Sequence, residues 1–200
     1  MSPERLAEAR NRLGALREVR NPLEVQLRVA AVLSGLLREY GEPIVVGGSA
    51  VSFYTGGAYL SRDVDLLTEA GAEVLRQVLE GLGFERTGAA WVHRDVDVVV
   101  DFPAPPLAGD PARVVRVQTE DGPIRVIGLE DLLVDRLNAA VHWKDTEAKE
   151  WCVTMLAVHP DLDRPYLDRR ASEEGIAGAL AEVRAEAERV RREGERPPVD

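Results

Sequence analysis

The chain has 200 residues, 45% of them hydrophobic and 30% charged, the composition of a folded globular protein rather than a disordered or fibrous one. Acidic residues outnumber basic ones 35 to 25, a net charge of −10 that argues against a stand-alone duplex-DNA or membrane-surface binder. Cys152 is the single cysteine, which excludes an intrachain disulfide and a cysteine-cluster zinc site.

Residues 4–19 and 23–39 read as helices split by Asn21-Pro22, the second with Val25, Val29, Val32, Leu33 and Leu36 at helical spacing. The pattern then changes. Pro43-Ile44-Val45-Val46 is a short β run, Gly47-Gly48-Ser49 a tight turn, and Ala50-Val51-Ser52-Phe53-Tyr54 the start of a helix. Gly56-Gly57 ends that helix, and Asp63-Val64-Asp65-Leu66-Leu67 begins another strand. Residues 71–82 predict an amphipathic helix closed by Gly83, and Trp91 to Phe102 a long β stretch ending at Pro103. Arg113–Gln118 and Ile124–Ile127 predict a hairpin around Asp121-Gly122. Helices are expected at 129–142, 145–157 and 172–192, with Pro160 and Pro165 in the connection.

Strands in the middle and helices at both ends define an α+β chain. Its expected parts are N-terminal helices packing on the core (1–40), an α/β core (41–127), a C-terminal helical region (128–195) and a frayed tail (196–200). No stretch approaches the ~20 apolar residues of a membrane span, and MSPERLAEAR does not read as a signal peptide. The expectation is a cytoplasmic protein without membrane contact.

Three features in the β region carry chemistry. A Gly-Gly-Ser turn between strand and helix lets a ligand approach the backbone, and the helix that follows offers N–H groups to an anion. Alone, such a turn is more often just a sharp bend. Asp63 and Asp65, two apart on a strand, project to one face, while Val64 and Leu66 point to the core. Two like charges so close persist most naturally around a divalent cation, although an isolated Asp-x-Asp is more often a solvated strand face. In Arg94–Phe102, alternation puts Val96, Val98, Val100 and Phe102 on one side and Asp95, Asp97, Val99 and Asp101 on the other. Carboxylates on one strand face need solvent or a neutralising partner.

Together, the Gly-Gly-Ser turn, the spacer 50–62, Asp63-Val64-Asp65 and the third carboxylate strand resemble the DNA polymerase β-like nucleotidyltransferase superfamily. Val100-Asp101-Phe102-Pro103 with the following APPLAGD, Asp135-Arg136-Leu137 and His142-Trp143-Lys144-Asp145 are similar to a narrower group. These are small bacterial nucleotidyltransferase-like proteins related to toxin–antitoxin and abortive-infection nucleotidyltransferases. The resemblance covers roughly 44–157. One departure is Tyr59, where relatives often carry an Arg before the first Asp; Arg62 stands beside the pair instead.

The resemblance implies a mixed β-sheet with flanking helices and a C-terminal helical region. It also implies transfer of an NMP group from an NTP to an acceptor, with release of pyrophosphate. Asp63, Asp65 and Asp101 would hold Mg²⁺ or Mn²⁺ and carry catalysis, with Asp97 the rival for the third place. Gly47, Gly48, Ser49, Arg62, Arg136 and Lys144 would bind the nucleotide. The acceptor is left open among a small molecule, a protein and a tRNA end.

Arg136 falls within the apolar stripe of its helix, and an ion pair holding helix to sheet is a competing reading. Asp131, Asp135, Asn138 and His142 line another face, solvated or cleft-forming. Trp143 and Trp151 read as core, Cys152 as inert, and His93 is given no role. The alternative function is a catalytically degenerate domain, acting in a toxin–antitoxin pair with an antitoxin or other protein partner, or as a nucleotide-binding regulator. A glycosyltransferase also uses Asp-x-Asp, but its long nucleotide-binding domain does not fit before residue 63.

Overall fold

The computed structural model describes residues 2–194; the tail expected to fray at 196–200 lies outside the described residues. The chain divides into two compact units, Met1–Ile127 and a second beginning at Gly128.

The first unit opens with two helices whose starts are written in the sequence. Helix α1 (Pro3–Ala15) is capped by Ser2, whose Oγ accepts from Arg5 N, and α2 (Pro22–Leu37) by Asn21, whose Oδ1 accepts from Leu23 N. Each has proline in its first turn, where the missing N–H costs nothing. Then follow β1 (Ile44–Val45), α3 (Gly47–Tyr54), β2 (Asp63–Leu67) and α4 (Ala72–Leu82). Strands β3 (Glu85–Thr87), β4 (Ala90–His93), β5 (Val98–Asp101), β6 (Val115–Thr119) and β7 (Gly122–Val126) complete the unit.

The strands form one seven-stranded mixed sheet in the order β3-β4-β5-β2-β1-β7-β6. Strand β1 pairs antiparallel with β2 and parallel with β7, and β2 lies parallel to β5. Helix α2 packs on the sheet, with Val29, Leu33 and Leu37 fully buried against a core that includes Val45, Val64, Leu66, Val100 and Val126. Each such side chain contributes on the order of 1.5–3 kcal/mol of burial free energy. The β6–β7 hairpin turns at Glu120-Asp121, and Asp121 Oδ2 accepts from Arg28 Nε of α2 at 2.6 Å.

The expected long strand from Trp91 to Phe102 is instead a hairpin. Strands β4 and β5 are antiparallel, His93 pairing with Val98, and the residues between them turn. Asp97 sits there with φ +53°, a backbone conformation that Asp tolerates better than most residues. Its N–H donates to Arg94 O, so no strand runs through Asp95, Val96 and Asp97, although Val96 is buried and the two carboxylates are exposed.

The second unit contains α5 (Leu129–His142), α6 (Thr146–Val158), α7 (Arg164–Glu173) and α8 (Ala177–Gly194). The stretch read as a connection around Pro165 is helix α7: Asp163 caps it through Tyr166 N, and Pro165 occupies its first turn. Asp131 is 0% exposed, accepting from Tyr166 Oη at 2.7 Å with Arg170 beside it, so its face of α5 is not solvated there. Trp143, expected in the core, is 79% exposed. Cys152 is buried, and burial pushes its thiol up to about 12. Among the described residues no helix is long and apolar enough to cross a membrane.

Candidate functional site

The site grows from the meeting of β2 with the start of α3. Strict alternation along β2 buries Val64 and Leu66 and leaves Asp63 and Asp65 half-buried on the opposite face. Strand β5 runs parallel beside β2 with Asp101 in register with Asp65, which brings the third carboxylate to the same place. Asp97 lies in the turn that precedes β5. The structure thus gathers Asp63, Asp65 and Asp101.

Asp65 is fastened to α3. Its Oδ2 accepts from the Ser49 backbone N–H at 3.2 Å, so the carboxylate caps the helix. Gly47 takes φ +56°, and a Cβ there would stand 2.6 Å from Asp65 Oδ2. A Cβ on Gly48 would stand 2.8 Å from Ser61 Oγ. The glycine pair therefore makes room for the Asp65 carboxylate and the Ser61 hydroxyl.

Ser49 differs from its expected part. It is 2% exposed, and its hydroxyl donates to Asp63 O at 2.9 Å while accepting from Asp65 N at 2.6 Å. A hydroxyl with its single proton already committed fastens β2 to α3 rather than reaching outward to a phosphate.

Burial raises the Asp65 carboxyl to about 6. The Ser49 and Gly48 N–H groups oppose the shift, and the charges of Asp63 and Asp101 add to it. Asp63 Oδ1 accepts from Ser61 Oγ at 2.7 Å, and Asp101 Oδ1 accepts from Phe102 N at 2.9 Å. Each of the three carboxylates keeps a second oxygen with no hydrogen bond among the described residues.

Among the described residues, no group of three or more acidic, histidine or cysteine side chains is arranged to hold a metal ion by itself. The donor set nevertheless fits a hard dication: carboxylates alone, on an open shelf, with like charges unneutralised. Mg²⁺ is characteristically held this way, by one or two carboxylates plus substrate phosphates and waters.

Arg62 is exposed beside the pair. Arg136 and Lys144 belong to the second unit. Arg136 donates through Nε and Nη2 to the neighbouring Asp135, so its ion-pair partner is on its own helix and not on the sheet. Lys144 is exposed at the end of α5, with φ +57°. Ser61 was missed by the sequence reading, although the spacing Ser61-x-Asp63-x-Asp65 carried a signal: residues two apart in extended chain share a face.

The mixed sheet and its flanking helices match the fold of a nucleotidyltransferase-like protein. An antigenic nucleotidyltransferase-like protein from Paracoccidioides brasiliensis superimposes with a TM-score of 0.54 at 14% identity, over 81% of this chain and 93% of that one. The antibiotic-resistance factor ANT(2'')-Ia aligns with a TM-score of 0.42 at 16% identity, over 84% of this chain and 93% of its own. No protein-family model and no curated protein sequence matches the chain.

Proposed function

We propose that the protein is a metal-dependent nucleotidyltransferase that moves an NMP group from an NTP to a hydroxyl-bearing acceptor. One observation carries this reading: half-buried Asp63 and Asp65 share a face beside the Gly47-Gly48 turn, with Asp101 in register on the adjacent strand. The nucleotidyltransferase-like fold supports it. Asp63 and Asp65 would hold Mg²⁺ or Mn²⁺, with Asp101 as a third ligand or as the proton acceptor. When bound, the metal neutralises triphosphate charge and polarises the phosphoryl oxygens.

The acceptor oxygen forms a bond to the α-phosphorus while the bond from that phosphorus to the bridging β-oxygen breaks. The electron pair of that bond leaves with pyrophosphate. The acceptor's proton passes to a carboxylate, a role we give to Asp101, whose register beside Asp65 supports it. Gly47 and Gly48, without side chains, give the triphosphate an approach to the backbone, and the exposed Arg62 offers it a cation. The main contribution of the protein is position, because a preformed carboxylate shelf holds both reactants in line. Every group the mechanism needs lies in the first unit.

Calorimetry with each of the four NTPs, with and without Mg²⁺, tests the reading. The expected result is saturable binding of at least one NTP that requires the metal and is lost in Asp63→Asn/Asp65→Asn, whose fold stays intact. An acceptor screen for pyrophosphate release then follows. Wild-type protein that binds no NTP would overturn the proposal in favour of a degenerate domain that works through a protein partner such as an antitoxin, or as a regulator.

A further inference from the structure

Three polar residues that the proposed chemistry does not use converge on the chain just before the Asp pair. Ser61 is buried, and its backbone is gripped from two helices. Gln26 Nε2 of α2 donates to Ser61 O at 2.5 Å, and the Ser61 N–H donates to Ser52 Oγ of α3 at 2.8 Å. Ser52, itself fully buried, donates its hydroxyl hydrogen bond to Gly48 O at 3.1 Å. Ser61 Oγ is left facing Asp63, to which it donates at 2.7 Å.

A serine hydroxyl has one proton, so directing it at Oδ1 selects which carboxylate oxygen stays available. The bare edge of Gly48 leaves room for that hydroxyl, because a Cβ there would stand 2.8 Å from Ser61 Oγ.

We propose that Ser61 is a positioning residue: through Asp63 Oδ1 it holds the Asp63 carboxylate in the orientation that presents Oδ2 to the metal. The proposal rests on the nucleotidyltransferase reading and adds to it a residue outside the Gly-Gly and Asp-x-Asp motifs. Without the hydroxyl, Asp63 turns freely beside two like charges, and metal affinity falls through lost orientation. Gln26 and Ser52 fix the Ser61 backbone, which makes the hydroxyl's direction a property of the fold.

The test is Mn²⁺ binding followed by electron paramagnetic resonance of the free ion, with Mn²⁺ alone and with Mn²⁺ plus ATP. Thermal melting of each variant runs alongside. Ser61→Ala should weaken Mn²⁺ affinity by about tenfold or more, the range found when a group orienting a metal ligand is removed. Ser61→Thr, which keeps the hydroxyl, should return affinity to near the wild-type value; a merely structural serine predicts no such rescue.

Ser61→Cys, a weak donor of nearly the same volume, should fall between the two and keeps the test valid if Ser61→Ala does not fold. Wild-type affinity in Ser61→Ala and Ser61→Cys, with binding still lost in Asp63→Asn, would overturn the positioning role and leave the site standing. Wild-type protein that binds neither Mn²⁺ nor Mn²⁺–ATP would overturn the site and this role together.

Discussion

Asp65 Oδ2 lies 2.6 Å from where a side chain on residue 47 would begin, and the N–H of Ser49 donates to that same oxygen at 3.2 Å. One carboxylate oxygen thus demands a glycine in the turn and serves as the cap of the helix behind it. The Gly-Gly-Ser turn and the Asp pair, 16 residues apart in the Ser49–Asp65 contact, are two halves of one structural unit.

The first prediction concerns that glycine. Gly47→Ala adds the cost of a left-handed backbone, about 1–2 kcal/mol, to a clash with Asp65 that the buried neighbours resist. The melting temperature should fall by roughly 5–10 °C. Gly56→Ala is the control: Gly56 has a similar φ of +60° but nothing within 4 Å of its added Cβ, so it should lose less than half as much.

Asp65 gives a pH dependence whose sign follows from its environment. Its carboxyl is raised to about 6, so the folded chain holds this proton at pH values where the unfolded chain has released it. Asp65 therefore lowers stability progressively as pH rises from about 4 to about 6, by on the order of 3 kcal/mol, and the effect levels off above that. Asp65→Asn should be more stable than wild type in urea at pH 7.5 and equal to it at pH 4. Equal midpoints at pH 7.5 would contradict the burial of this charge.

Asp101 and Asp97 should separate cleanly in activity. Asp101→Asn alters the group in register with Asp65 and should reduce pyrophosphate release at least a hundredfold, the scale of a removed proton acceptor. Asp97→Asn keeps a residue tolerant of positive φ in a turn and should leave the rate within twofold. The reverse pattern would reassign the third carboxylate.

A fourth prediction tests how α2 is held to the hairpin. Arg28, with a side chain 14% exposed, pairs at 2.6 Å with Asp121, 8% exposed, and also meets Glu24 and Glu120. Asp121→Ala leaves a buried guanidinium short of its closest partner and should cost about 2–3 kcal/mol in urea denaturation. Glu73→Ala, which breaks an exposed pair with Arg76, should change the midpoint little.

Several features were legible because they depend on neighbours in the chain. Alternation in Asp63–Leu67 put both carboxylates on one face, since successive strand residues point to opposite sides. Asn21-Pro22 marked the start of α2, and the glycine pair that of α3, for equally local reasons. The same local logic failed at Asp95–Asp97. Alternating apolar and acidic residues imitate a strand there, while the pairing of β4 with β5 turns the chain back.

Other features were decided only by the fold. Asp101 belongs to the site because β5 lies parallel to β2, a pairing between segments 36 residues apart at Asp65 and Asp101 that no local pattern encodes. Ser49 spends its hydroxyl inward because α3 is packed against β2, and Ser61 gains its direction from Gln26 of a distant helix. Asp131, on a face that the sequence left open between solvent and cleft, is sealed by Tyr166, and Trp143, read as core, stands in solvent. The sequence by itself determined which residue types could build a carboxylate site and on which strand faces they would stand. The tertiary structure alone decided which of them meet, because charge proximity, burial and hydrogen-bond direction are properties of packed neighbours.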